Sequence, residues 1–162
     1  MTGIETKESV KSLSFASKDF DPNKYAAVAM SARLASLQLT NQQYSVKPEA
    51  LELSRLTMEE YKFSYSGGVE FVHLDAESGS IFGSYKWSVN ITLHRKKVVN
   101  QKASFILVYE DLLGNDESYC NLYFVKLSRF TTYPYFRSIF SANAANSGLM
   151  LPPLPSLRDR MD

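Results

Sequence analysis

TTYPYFRSIFSANAANSGLMLPPLPSL, residues 131–157, reads as a helix followed by a proline-stiffened ribbon. Pro134 suits the first turn of a helix, because its locked φ is already helical and the N–H it lacks would have no intrahelical partner there. A helix is therefore expected to start at this proline. Phe136, Ile139, Phe140 and Ala144 recur at three-and-four spacing on one side, Ser138, Ser141 and Asn143 fall mostly on the other, and Gly148 is placed for a left-handed C-terminal conformation. One face is made to bury. Leu149, Met150, Leu151 and Leu154 then stand among Pro152, Pro153 and Pro155, which favour an extended backbone and cannot continue a helix.

Upstream of this helix, 119–130 (YCNLYFVKLSRF) carries Leu122, Val125 and Phe130 at mixed spacing and is expected to form a first, short helix packed on a sheet. The sheet itself is written in the middle of the chain. Tyr61, Phe63, Tyr65, Val69 and Phe71 alternate with polar residues, with a bulge or bend expected at Gly67 and Gly68. Ile81, Tyr85, Trp87, Val89, Ile91 and Leu93 alternate more cleanly, after a turn at 75–79. A third run, 103–111 (ASFILVYED), is set off by a polar turn region over 94–102. These three segments predict an antiparallel meander with one dry face, its core including Trp87, Val89, Ile91 and Phe105.

Nearer the N-terminus, LQLTNQQYSV (37–46) is a strand with one wet face, ended by Lys47-Pro48. The charged connection 49–60 has room for a helical turn. The Ala-rich 25–36 segment suits a short helix, and residues 1–24, polar and mixed in charge, are expected to be a flexible arm preceding one domain over 25–162. Four strands followed by two helices give an α+β order: a four-stranded antiparallel sheet with two C-terminal helices on one side.

Composition narrows the partners. The 162 residues suffice for one domain with a sizeable core. Lys and Arg number 18 against 17 Asp and Glu, so no net field attracts nucleic acid, and the longest basic run is His94 to Lys97, expected as a solvated hairpin tip. A single Cys120 excludes an internal disulfide and suits a reducing compartment. No stretch is long and apolar enough to span a bilayer, and no signal peptide is evident; the expected location is the cytoplasm.

Catalytic chemistry finds no constellation. His73 and His94 lack any metal-ligand spacing, Cys120 has no partnering histidine signature and reads as a small buried hydrophobe, and Asp111, Asp116 and Glu117 bracket a Gly114-Asn115 turn where solvated acids are ordinary. Gly67-Gly68 lacks the lysine and further glycines of a phosphate loop. No catalytic residue, metal or cofactor is expected. The aromatic share does stand out: 10 Tyr, 10 Phe and one Trp make 13% of the chain. One sheet face would be hard pressed to cover both a short aromatic helix and the whole leucine ribbon, so part of this surface is expected to remain open as a groove suited to apolar, extended polypeptide.

The order YPYFRSIF, a short polar helix end, then GLMLPPLPSL resembles the C-terminal region of SecB chaperones, particularly the SecB-like proteins that accompany toxin–antitoxin pairs. The resemblance rests on Tyr133, Pro134, Tyr135, Arg137, Leu151, Pro152, Pro153 and Leu154 and on the element order over about residues 32–157. It implies a first strand beginning by Arg33 or Leu34, a crossover connection over 46–60, and a homotetramer built as a dimer of dimers. It also implies an ATP-independent holding chaperone that binds unfolded or nascent polypeptide. Its client groove would be built from Leu51, Leu53, Leu56 and Met58 of the crossover, Tyr133, Tyr135, Phe136 and Phe140 of the helix, and Leu149, Met150, Leu151 and Leu154 of the tail. Export-dedicated members of that family resemble one another in a strongly acidic surface and tail; this chain is near neutral and ends LRDRMD. That departure favours an antitoxin client, a setting in which phage defence is a consequence, over general protein export. Two other classes stay open on the residues: a small-ligand-binding or enzymatic α+β domain with a closed pocket, and a plain assembly module.

Overall fold

A computed structural model describes residues 19–157. Of the expected arm, 1–18 lies outside the described residues, as does the 158–162 end. The rest of the arm is structured: Asp19 and Phe20 lead into helix α1, Pro22–Ser31, whose N-terminus is capped by the Asp21 carboxylate accepting from the Asn23 N–H at 2.9 Å. Phe20 stands against the rings of Tyr25 and Tyr119, 6.0 and 5.8 Å away, and the Asp21 N–H donates to the Tyr119 hydroxyl at 2.7 Å. Helix α1 therefore begins upstream of residue 25.

Four strands follow: β1 Arg33–Val46, β2 Lys62–Asp75, β3 Ser80–Leu93 and β4 Lys96–Glu110, all antiparallel in the order β1-β4-β3-β2. A 3-10 helix, Pro48–Arg55, fills the connection between β1 and β2 and buries Ala50 and Leu53. Strand β4 starts seven residues before the expected 103, because the turn is only His94-Arg95, both at positive φ (46° and 66°), the geometry of a two-residue hairpin. Residues 96–102 then continue the ladder, with Val98, Val99 and Gln101 buried.

The bend expected at the glycines lies one step further on. Gly67 and Gly68 stay in register opposite Trp87 and Lys86, and the shift falls between Val69 and Phe71. Glu70 occupies it, accepting from the Ser84 hydroxyl at 2.6 Å with Lys86 Nζ 3.8 Å away. Gly67 is needed for another reason: a Cβ there would sit 2.6 Å from the Trp87 ring and 2.8 Å from that of Tyr85.

One helix, α2 Glu117–Asn146, takes the place of the two expected ones and runs straight through Pro134. Proline removes one intrahelical hydrogen bond, but burial on both sides of it outweighs that loss. Tyr123 and Phe124 pack edge-on against Tyr109 of β4, Tyr133 and Phe136 against Trp87 of β3, and Phe140 against Phe63 of β2. The helix thus crosses the sheet from β4 to β2 on one face. Two polar bonds lock this crossing: Trp87 Nε1–H donates to Thr132 Oγ1 at 2.7 Å, and the Tyr109 and Thr131 hydroxyls are 2.9 Å apart. The α+β class and the one-sided helical layer expected from the sequence stand.

Gly148, at φ 74°, ends α2. The Leu149 N–H reaches the Ala144 carbonyl at 2.9 Å and the Gly148 N–H reaches that of Ala145 at 3.0 Å, the paired bonds of a Schellman motif. This turn throws the tail 149–157 back along the helix.

Candidate functional site

The twelve residues expected to face a client divide by burial. Leu53, Tyr133, Phe136, Phe140, Leu149 and Leu154 are in the core, Leu154 with no exposed surface at all. Leu56 and Leu151 are half-buried against that core. Leu51, Met58, Tyr135 and Met150 are open, at 60, 63, 55 and 86% exposure. The core members shape the surface from beneath, whereas the open ones are available for contact. Two residues absent from that set belong with the exposed ones: Tyr65, whose ring lies 6.1 Å from that of Tyr133, and Phe130 on α2. Tyr65 carries a usable sequence signal, since it alternates with Phe63 on the dry face of a strand at the sheet edge.

The tail is bound to the helix as an extended segment would be. Leu149 and Leu154 insert into the core, and the Tyr133 hydroxyl donates to the Pro155 carbonyl. Burial, with Tyr65 beside it, pushes the Tyr133 phenol up, and the Arg137 guanidinium pulls the other way. Between the outer face of α2 and the end of the tail lies an open cavity of about 510 Å³, walled by Phe130, Tyr133, Pro134 and Leu157 with Arg137 and three serines. Its walls are mainly apolar, and Arg137 is the one charged residue among the described residues that line it.

The opposite face of the sheet is turned away from the rings of α2. Its middle is polar, with Glu70, Lys86 and Lys102 beside Asn41, Gln43 and Ser104 around a hollow of about 120 Å³. At one end Phe82 packs on Phe71 and His73, with ring centroids 6.3 and 5.2 Å apart. Among the described residues no three His, Cys, Asp or Glu side chains gather as a metal site, and no helix is long and apolar enough to cross a membrane. Cys120 is fully buried, and burial raises its thiol pKa, with Asp116 and Glu117 adding to the rise, so its nucleophilic thiolate form is disfavoured. Asp111 and Asp116 are engaged structurally, by Arg33 at 3.0 Å and by Lys24 at 3.2 Å.

A four-stranded antiparallel sheet in the order β1-β4-β3-β2 with α2 across one face makes this chain similar in shape to a solved structure from Mycobacterium tuberculosis. That structure is the SecB-like chaperone Rv1957 in complex with a ChAD peptide from the HigA1 antitoxin Rv1956. It superposes with a TM-score of 0.67 over 86% of this chain and 99% of the other, at 18% sequence identity. The chain has the SecB-like fold. No protein-family model matches it, and no curated protein matches it in sequence. The SecB-like expectation from residues 131–157 therefore rests on shape as well as on motif, at an identity where shape is what persists.

Proposed function

We propose that this protein is an ATP-independent holding chaperone that binds non-native polypeptide, with an antitoxin as its dedicated client. The observation that carries the proposal is the cavity between α2 and its tail. It is open, apolar-walled and bordered by the exposed Phe130. A closed pocket with converging polar groups would favour a small-ligand or enzymatic domain; an open apolar cleft favours side chains of an extended chain. Holding needs no chemistry, because a surface with higher affinity for unfolded than folded client shifts the client's equilibrium by mass action. The SecB-like neighbour is itself solved with an antitoxin-derived peptide, which supports the choice of client.

The same reading takes the protein to be cytoplasmic and a homotetramer, a dimer of dimers. Support comes from β1, an edge strand whose Leu34 and Leu39 are exposed beyond the span of α2. A long edge strand with an open apolar strip beside it is a natural seat for a second copy. Action on an antitoxin would place the protein in a toxin–antitoxin–chaperone system, with phage defence the role that follows.

The test is dilution of a chemically unfolded, unrelated protein with and without this chain, in the absence of ATP, followed by light scattering. Suppressed aggregation, reversed by Tyr135→Ser with Met150→Ser, is the expected result. A well-folded sample that leaves scattering unchanged, and that also fails to bind antitoxin-derived peptides, would remove the holding function.

A further inference from the structure

The cavity beside Pro134 carries chemistry that a purely greasy groove would not need. Pro134 has no N–H, so the carbonyl of Phe130, one turn earlier, lacks its usual helical donor. Phe130 and Pro134 both line the cavity, so this notch in the helix's bonding opens beside it. Arg137 follows three residues after the proline on the same wall and is half-buried. Among the described residues it meets no carboxylate: the ion pairs there are made by Lys24, Arg33 and Lys86. Helix α2 as a whole carries Lys126, Arg129 and Arg137 against Glu117 alone, so the field over its outer face is positive.

An apolar wall, a backbone acceptor that lacks its usual helical donor and a guanidinium without a carboxylate among the described residues together define a ligand. We propose that the Pro134 notch recognises an extended client segment in which an apolar side chain stands next to a carboxylate. The apolar side chain fills the space against Phe130, Tyr133 and Leu157, a client backbone N–H donates to the Phe130 carbonyl, and the carboxylate accepts from Arg137. This rests on the holding function proposed above and adds a charge preference to it. An acidic-apolar segment is thereby selected over a basic-apolar one of equal hydrophobicity, because arginine leaves a cationic neighbour repelled and an anionic one bonded.

The test uses short amidated peptides bearing Leu-Phe beside Glu, and twins with Gln or Lys in place of Glu, in anisotropy titrations with the full chain. The Glu peptide is expected to bind about fivefold to tenfold tighter than the Gln twin at low salt, the advantage shrinking as salt is raised. Arg137→Gln removes the advantage, so that the Glu peptide and its Gln twin bind it alike, and Arg137→Lys keeps part of it. Trp87 fluorescence confirms that each variant is folded. The order Glu equal to Gln in the wild type, or a preference that survives Arg137→Gln, overturns the proposal. So does dissociation of the oligomer by Arg137→Gln, which would assign the arginine to a second copy. A preference that appears only after Asp159→Asn with Asp162→Asn would assign the arginine to the chain's own end and overturn the proposal equally. Light scattering on the same samples separates the two levels: suppression without charge preference removes this inference alone, whereas no suppression and no peptide binding removes both.

Discussion

Replacing Gly67 by alanine, with Gly68→Ala as its neighbour control, tests whether the aromatic floor under α2 is as tightly set as its distances say. Neither glycine has a backbone conformation closed to other residues, so the outcome depends on space. At Gly67 the new methyl would lie 2.6 and 2.7 Å from two Trp87 ring atoms and 2.8 Å from the Tyr85 ring, about 1 Å inside ordinary contact. The indole has little freedom to yield, since its N–H is bonded to Thr132 and its ring stacks on Phe136 at 5.8 Å and 18°. Overpacking of this kind costs about 1–3 kcal/mol, and loosening the Trp87–Thr132 bond adds about 1 kcal/mol. Alanine recovers about 0.5–1 kcal/mol of strand propensity, leaving Gly67→Ala about 2 kcal/mol less stable. At Gly68 nothing lies within 4 Å, so only the propensity gain remains. The two variants should therefore differ by about 3 kcal/mol in urea unfolding, or about 9 °C in melting temperature for a domain of this size. Trp87 is the only tryptophan, so its emission reports the displaced ring directly. Equal stabilities for the two variants, with an unchanged Trp87 spectrum, would refute the close packing of Gly67 against the rings.

Thr132→Val keeps the shape but strands the buried indole N–H of Trp87, and should cost about 1–3 kcal/mol in urea unfolding with a shift in Trp87 emission. Pro134→Ala restores the backbone N–H opposite the Phe130 carbonyl; stability should rise by about 1–3 kcal/mol, while calorimetric affinity for apolar peptides falls, whatever their charge. Alkaline pH should weaken the fold: burial holds the Tyr85 phenol at about 12, whereas unfolded tyrosine ionises near pH 10. The unfolded chain thus loses a proton first, so stability is intact below about pH 10 and declines between about 10 and 12. About 2 kcal/mol is at stake for this residue once partial hydration is allowed for, and Tyr85→Phe should flatten the decline in urea titrations at about pH 8 and 11.

The alternation of β3 is plain in the sequence because the strand lies at the centre of the sheet, with α2 above and polar residues on the open face. Strand β4 is half hidden, since Lys96, Lys97, Asn100 and Lys102 read as a turn, and only tertiary packing buries Gln101 between them. That glutamine accepts from Asn143 near the end of α2 at 3.2 Å, a bond across 42 residues that no local pattern announces. The bulge falls at Glu70 instead of the glycines because a charged side chain can bond Ser84 there, while Gly67 is already taken by the Trp87 ring. Within the candidate site, Phe136 and Tyr135 are adjacent aromatics with opposite fates, one sealed and one open. Residue type speaks for an apolar surface; the pitch of α2 across the twisted sheet decides which ring faces it.

Pro134 is where the sequence expectation and the structure part most clearly, and the reason bears on function. A proline in a helix interior is disfavoured by about 3 kcal/mol relative to alanine, so local rules place it at a helix start. Here the helix continues because Tyr123, Phe124 and Ser128 on one side and Phe136, Phe140 and Ala144 on the other are buried along a single rod. Thr131 and Thr132, shortly before the proline, bond Tyr109 of β4 and Trp87 of β3 and hold the weakened turn against the sheet. The defect is thus supported from the buried side and exposed on the outer one, where Phe130, Pro134 and Arg137 meet the cavity. A helix made regular by alanine would be more stable and would return the Phe130 carbonyl to its usual helical donor. Local instability tolerated at a site that a partner could satisfy is the pattern expected when binding, and not folding, has set the residue.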